Sequence, residues 1–538
     1  MRKIVECVPN FSEGRDRETI DAIAEAIGNT PGCSVLDLDP GESTNRTVYT
    51  FVGSPDAVVE GALAAARVAR NRIDMRRHTG THPRMGALDV CPFVPVANVT
   101  MDECVTCAKE FGRRAAEELE VPIYLYEAAS DRTYRRSLKD IRAGEYEGLA
   151  DKLADPKWKP DYGSARFVPS WGATAAGARF FLIAYNVNVL GTKEQAHRIA
   201  LDVREQGRGP DAPGSLEAVK GMGWYVDEYG LAQVSMNLDD YRVTPLHVAF
   251  EACVDRAKAL EVAVTGSELV GLIPREAMLM AAEHYIEKDH LLVLDERQKM
   301  RLVIERLGLN AVAPFDPDQR VIEYLIEDET SEPLASSTVR VFVEQLGART
   351  SAPGGGSAAA LMAAMGAALG TMVGQLTYGR RKFESVDEHM RTALPHVHAA
   401  MKALVPMIDA DTDAFGQYVA ATAMPQDTED ERSRRQAAMQ AGLKQAVEVP
   451  LATMRTADRA WDAMVALGRH ANIAMRSDLE VGARALESGI WGCHRNVLIN
   501  LTDIEDKEFA TRVREESRAL SARGHDKLEE VLRILAGR

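Results

Sequence analysis

The chain has 538 residues, 46% hydrophobic and 27% charged, with a net charge of −16. That length exceeds the size at which one hydrophobic core keeps growing, so roughly two to four domains are expected. The composition is that of a globular protein in water, and the acidic balance excludes nucleic acid as a general partner while leaving room for local anion-binding patches.

The opening residues, MRKIVECVP, carry no apolar leader, which predicts a protein that is not secreted. Residues 3–8 read as a short strand, and 15–27 have helical spacing until Gly28 and Gly32 stop it. Two strands, 34–38 and 46–52, flank a turn with Pro40, Gly41 and Asn45; Ser54 then caps a helix, with Pro55 where a missing amide costs nothing.

Between residues 77 and 86 the sequence RHTGTHPRMG sets imidazole and guanidinium groups on backbone that cannot be helix. Gly80 loosens it, and Pro83 extends His82 at the entrance of a strand, 88–96. A histidine so placed titrates near neutral pH and can carry a proton; the plain alternative is a loop histidine bonded to its neighbours. Zinc is not expected. His78 and His82 share a face only on a helix, HExxH is absent, and Cys104 with Cys107 is a lone CxxC. The seven cysteines, odd in number and scattered, fit reduced thiols in a cytoplasm. Arg67, Arg70, Arg72, Arg76, Arg77 and Arg84 surround the loop and would attract an anionic substrate.

A helix at 101–119 and a strand at 122–126 give βαββαβ order with one strand added. The order recurs: strand 180–189, a helix from the Thr192 and Gln195 capping box to about Gln206, a hairpin of 223–225 and 231–238, helix 245–260 and strand 262–265. Between the halves lie Gly163, Ser164, Ala165, Arg166, Phe167, Val168, Pro169, Ser170, Trp171 and Gly172, with rings, a cation and flexible backbone where two subdomains are expected to meet.

The acidic, aperiodic stretch 327–333 marks a boundary, and helical patterns take over beyond it. The fold class is therefore α/β followed by all-α: two ferredoxin-like α/β subdomains, 1–180 and 181–326, a linker at 327–335, and a helical bundle at 336–538. Gly354, Gly355 and Gly356 precede a charge-free helix, 358–377, and glycine amides at a helix start can face an anion. Gly366, Gly370 and Gly374 recur at every fourth position, which fits a buried central or dimer-interface helix better than a membrane span. Arg380, Arg381 and Lys382 form a second basic group after it. Asp409, Asp411 and Asp413 stand in an apolar helical stretch that fails as a calcium loop, because Ala414 and Ala420 fill the positions that need Gly and Glu. One of these carboxylates turned inward would hold its proton near neutral pH and serve as an acid.

VECVPNFSEG (5–14), STNRTVYTFVG (43–53), RHTGTHPRMGALDVCPF (77–93), FVPSWGAT (167–174), LGTKEQAHRIAL (190–201), APGGGS (352–357), TYGRRKF (377–383) and RSDL (476–479) together resemble the formiminotransferase-cyclodeaminase family over essentially the whole chain. The resemblance implies a bifunctional folate enzyme of histidine breakdown. Its amino-terminal part would move a formimino group from N-formimino-L-glutamate to N5 of tetrahydrofolate, and its helical part would close the product to 5,10-methenyltetrahydrofolate with release of ammonia. The resemblance also implies His82 as the transfer acid/base, Gly163 to Gly172 as the folate-binding segment, and Asp411 as the cyclodeaminase residue. Tetrahydrofolate is a co-substrate, expected to be polyglutamated, and the protein a cytoplasmic homo-oligomer built from dimers. Asp39, near the Arg46 turn, is a further candidate for orienting the imidazole or holding a substrate cation; Arg84, Arg380 and Arg381 are candidates for carboxylates, with Arg46, Gly354, Gly355 and Gly356 as support. Two competing readings keep only part of this: a chain in which the helical unit merely dimerises, and a folate-binding scaffold without turnover.

Overall fold

The computed structural model describes residues 3–42, 44–80, 82–326 and 332–538. The chain forms two compact units, residues 1–327 and 328–538. Of the expected linker, residues 327–331 lie outside the described residues, as does Ser43 of the second matching segment.

The first unit opens with β1 (Ile4–Cys7), β2 (Asn10–Phe11), α1 (Arg17–Gly28), β3 (Cys33–Gly41), β4 (Arg46–Gly53), α2 (Pro55–Arg72) and β5 (Leu88–Ala97). Side chains of Asp16 and Ser54 cap α1 and α2, and Pro55 occupies the first position of α2. The edge strand β3 pairs with β4, and the short strands β1 and β2 together fill the place between β4 and β5, antiparallel to both. After α3 (Met101–Leu119), started by a capping box of Thr100 and Glu103, come β6 (Ile123–Glu127), α4 (Leu138–Arg142), α5 (Leu149–Ala154) and β7 (Thr174–Ala178). The last of these lies parallel between β5 and β6. Its sequence, TAAGA, has no alternation to announce a strand because all five residues are buried. Small side chains are required there: a Cβ on Gly177 would lie 2.4 Å from the Tyr126 ring.

The second half of this unit repeats the element order with β8 (Ile183–Leu190), α6 (Lys193–Val203), β9 (Val219–Val226), β10 (Leu231–Leu238), α7 (Leu246–Ala259) and β11 (Ala263–Val270), in one antiparallel sheet ordered β11-β8-β10-β9. Four helices without a sequence expectation follow: α8 (Arg275–Lys288), α9 (Glu296–Leu307), α10 (Pro317–Arg320) and α11 (Ile322–Ile326). They close over the second core, and Val52 and Val94 of the first sheet join the same cluster, so the two halves are packed together by burial of apolar surface.

The second unit is helical: α12 (Val339–Leu346), α13 (Gly355–Thr377), α14 (Asp387–Leu404), α15 (Met407–Thr422), α16 (Glu429–Asp458), α17 (Trp461–His470), α18 (Arg476–Asn500) and α19 (Lys507–Ala536). By length and hydropathy α13 is able to cross a membrane, yet its small residues are spent on helix contacts. A Cβ on Gly366 would lie 2.5 Å from the Leu486 amide nitrogen and one on Gly489 2.6 Å from that of Ala363, so glycines on both α13 and α18 let the backbones meet. Gly370 and Gly374 accommodate Met464 and Leu394 in the same way, which makes α13 the central helix of its own bundle.

Candidate active site

The loop before β5 is pressed onto the β3–β4 turn, where a Cβ on Gly80 would fall 2.1 Å from the Thr44 carbonyl oxygen. His78 is spent on this packing. Its Nε2 lies 2.7 Å from the Asn45 carbonyl, which can only accept, so Nε2 carries the proton and Nδ1 accepts from Arg84 Nε at 3.2 Å. Arg84 is 8% exposed, and Glu147 at 2.7 Å with Glu145 at 3.3 Å answers its charge. It is a buried structural cation, which corrects its expected role as a free carboxylate binder.

His82 is differently placed. Its Nδ1 lies 2.7 Å from the Pro83 carbonyl, again an obligate acceptor, which assigns the ring proton to Nδ1 and the lone pair to Nε2. Arg46, the first residue of β4, reaches the same ring through Nη1, and with the proton on Nδ1 it can donate only to the Nε2 lone pair. Burial lowers the His82 pKa below that of a free histidine, and the Arg46 charge lowers it further. The imidazole is therefore neutral at pH 7, with its basic nitrogen in the partly exposed loop. Asp39 lies exposed near the end of β3 and makes no hydrogen bond to His82, so the imidazole is oriented by Pro83 and Arg46, not by Asp39 as the sequence suggested.

Two acidic and basic residues escaped sequence reading. Asp89, fully buried on β5, accepts from the Met85 amide at 2.9 Å and from Arg142 Nη2 on α4 at 2.5 Å. Its signal was present as a lone carboxylate inside the apolar run Ala87 to Val96, whereas Arg142 sits in a charged stretch that looks like surface.

Backbone pairing joins this loop to the Gly163–Gly172 segment. Ala87 N donates to Trp171 O at 2.8 Å, Ala173 N to Met85 O at 3.0 Å, and Met75 N to Ser170 O at 3.1 Å. Gly172 adopts φ +83°, and a Cβ there would meet Met85 O at 2.1 Å, so the crossing requires glycine. Phe167, Val168 and Pro169 line a cavity of about 460 Å³ together with Arg70 and Arg166. Its walls belong to the first half alone, which corrects the expected position at the meeting of two subdomains. Trp171 is 1% exposed and donates to Thr174, a packing role.

In the helical unit the three aspartates part company. Asp409 is buried and accepts from the Leu334 and Ala335 amides at 2.7 and 2.9 Å, and Asp413 is exposed. Asp411 lies against the N-terminus of α13, so close that a Cβ on Gly356 would fall 2.0 Å from its Oδ1. Ser357 donates to it from amide and hydroxyl, yet burial outweighs these bonds and raises its pKa. The helix start expected to face a ligand anion through Gly354, Gly355 and Gly356 thus faces the protein's own carboxyl. Arg380 and Arg381 are exposed beyond the other end of α13, whose 23 residues span about 35 Å, so within one unit they are remote from Asp411. Among the described residues no group of three or more His, Cys, Asp or Glu side chains is disposed to hold a metal ion.

The sequence matches the family model described as "Formiminotransferase domain, N-terminal subdomain" over residues 4–179, "Formiminotransferase domain" over 184–327, and "Formiminotransferase-cyclodeaminase" over 338–519. It is 57% identical over 540 residues to the formimidoyltransferase-cyclodeaminase of Dictyostelium discoideum, covering 100% of both chains. It is 56% identical to the protein of that name from Gallus gallus, covering 95% of each. A glutamate formimidoyltransferase of Streptococcus pyogenes serotype M1 is 40% identical over 53% of this chain and 94% of its own.

Proposed function

The chain belongs to the formiminotransferase-cyclodeaminase family, and from that membership we infer how its two sites divide the chemistry. It is a bifunctional folate enzyme of histidine degradation. It transfers the formimino group of N-formimino-L-glutamate to tetrahydrofolate, giving 5-formiminotetrahydrofolate and L-glutamate, then cyclises that product to 5,10-methenyltetrahydrofolate with release of ammonia.

Transfer passes through a tetrahedral carbon. N5 of the folate attacks and must lose a proton; the glutamate nitrogen then leaves and must gain one. His82 Nε2 is unprotonated at pH 7 and, once Arg46 Nη1 releases its lone pair, serves both steps in turn, taking the first proton and returning it to the leaving amine. The observation that supports this reading is the backbone pairing of Met85 and Ala87, which follow His82 in the same loop, with Trp171 and Ala173 next to the ring-and-cation segment. Phe167 supplies an apolar face for the aromatic part of the folate there, and Arg70 and Arg166 supply cations for its glutamates, including a polyglutamate tail.

In cyclisation N10 attacks the same carbon and gives up its proton, which restores the acid, and the formimino nitrogen, having gained a proton, departs as ammonia. Asp411, whose hold on its proton is strengthened by burial, donates the proton that the leaving nitrogen requires. The transferase then occupies the two α/β halves, 1–180 and 181–326, read as ferredoxin-like from the neighbour order of their strands, and the cyclodeaminase occupies 336–538. Seven free cysteines support a cytoplasmic setting, and exposed Val481 and Trp491 on α18 with Met365 on α13 support assembly of dimers into a homo-oligomer. A coupled assay on the whole chain, reading glutamate release and methenyl-folate absorbance separately, tests the reading: His82→Ala should abolish the first and leave cyclisation of supplied 5-formiminotetrahydrofolate intact. Glutamate release undiminished by that change would refute His82 as the proton carrier.

A further inference from the structure

Two guanidiniums and one carboxylate converge beneath His82. Asp89 is fully buried and holds Arg142 through Nη2, and the Arg142 side chain is 15% exposed. Arg46 reaches the imidazole through Nη1. In both arginines Nε is buried without a hydrogen-bond partner among the described residues. Buried guanidinium donors without an acceptor are costly, and two of them side by side imply an acceptor that arrives with the substrate. Guanidinium N–H groups only donate, so the missing partner must be an acceptor, and a carboxylate is the acceptor that fits a guanidinium edge best. Burial supports this sense of incompleteness, since it depresses the Arg46 pKa to about 10 despite the nearby Asp89 and Asp39.

We propose that Arg46, which meets the imidazole, and Arg142, anchored on Asp89, grip the α-carboxylate of the formimino donor beside His82 Nε2. This rests on the transferase reading above and extends it to substrate recognition. In N-formimino-L-glutamate the formimino nitrogen and the α-carboxylate share one carbon, so the group nearest the reacting atom is this carboxylate. The side-chain carboxylate lies farther along a flexible chain, and the glutamates of tetrahydrofolate lie at the far end of that molecule from N5. The imidazole engages only Nη1 of Arg46 and leaves Nε without a partner, and a guanidinium edge can bind a carboxylate through two parallel hydrogen bonds. Arg142 then serves as a specificity residue, and Asp89 as the positioning residue that fixes it.

The test compares kcat/KM for two donors, N-formimino-L-glutamate and the N-formimino derivative of 4-aminobutyrate, which keeps the distal carboxylate and lacks the α-carboxylate. The unaltered enzyme should prefer the first by about 100-fold, and Arg142→Gln should collapse that preference by raising KM for the natural donor, with a much smaller effect on the analogue. Arg142→Lys keeps the charge and the bond to Asp89, so it should fold, yet without the planar fork it should still lose about 10-fold of the preference. Equal losses on both donors in the glutamine variant, or an undiminished preference in the lysine variant, would overturn the proposal. Failure of the parent reading looks different: the unaltered enzyme would then move no formimino group from the natural donor to tetrahydrofolate.

Discussion

His82 and Asp411 are moved by the same cause in opposite directions. Burial penalises the charged form of each, so the imidazole in the amino-terminal unit loses affinity for its proton while the carboxyl in the helical unit gains it. The contrast extends to their neighbours. His82 is surrounded by cations, Arg46 and Arg142, which reinforce the effect of burial; Asp411 receives two hydrogen bonds from Ser357, which oppose it. Each arrangement suits its step. A base that must first accept a proton is kept free of one, and an acid that must give a proton is biased toward holding it.

The widest break in this comparison is expected from removing each group. His82→Ala should lower formimino transfer by about 10³-fold and spare cyclisation, and Asp411→Asn should do the reverse, since positioned acid/base groups contribute roughly 10²–10⁴-fold; each half-reaction, assayed with its own substrate, checks this. Next comes Gly356→Ala. The added methyl would occupy the space of the Asp411 carboxyl oxygens, so cyclisation should fall by roughly 10²-fold with transfer unchanged, because misplacement of a reacting group by about 1 Å costs that much. Gly366→Ala probes packing alone: with Leu486 and Gly482 backbone so close, the helical unit should lose about 1–3 kcal/mol, read as an earlier denaturant midpoint, while transfer kinetics stay as they are.

The smallest expected effect concerns Glu6, buried at 3% exposure on β1, whose pKa burial raises to about 7. A carboxyl with its folded value raised contributes stability that is fully present below the unfolded value and lost as pH rises through the folded one. The amino-terminal unit should thus weaken as pH climbs from about 4.5 toward 7, and Glu6→Gln should flatten that slope in denaturant titrations at several pH values.

The chemical residues were legible because their signals are local. Gly80 and Pro83 frame His82 and rings with cations mark Phe167 and Arg166 within a few neighbours in sequence, whereas only the family resemblance chose Asp411 from three aspartates. What escaped depends on partners far along the chain. Strand β7 has only small residues, and their need for smallness comes from Tyr126; Arg142 resembles a surface charge until Asp89 is seen beneath it; helices α8 to α11 follow the repeated pattern and belong to no repeat. Asp39 shows the opposite error. A carboxylate near an arginine turn suggested an orienting partner for the imidazole, but a carbonyl one residue away does that work at 2.7 Å.

Recording both half-reactions on one protein sample across pH is the most direct test of these opposed proton affinities. Transfer should hold its rate below the ordinary histidine range and decline only in more acidic solution, where the depressed His82 finally takes up a proton. Cyclisation should run the other way, declining as rising pH strips the proton from Asp411, at a pH above the ordinary carboxylate range. Parallel profiles, or a cyclisation rate that climbs as Asp411 ionises, would contradict the claim that burial sets the two groups in opposite protonation states for opposite tasks.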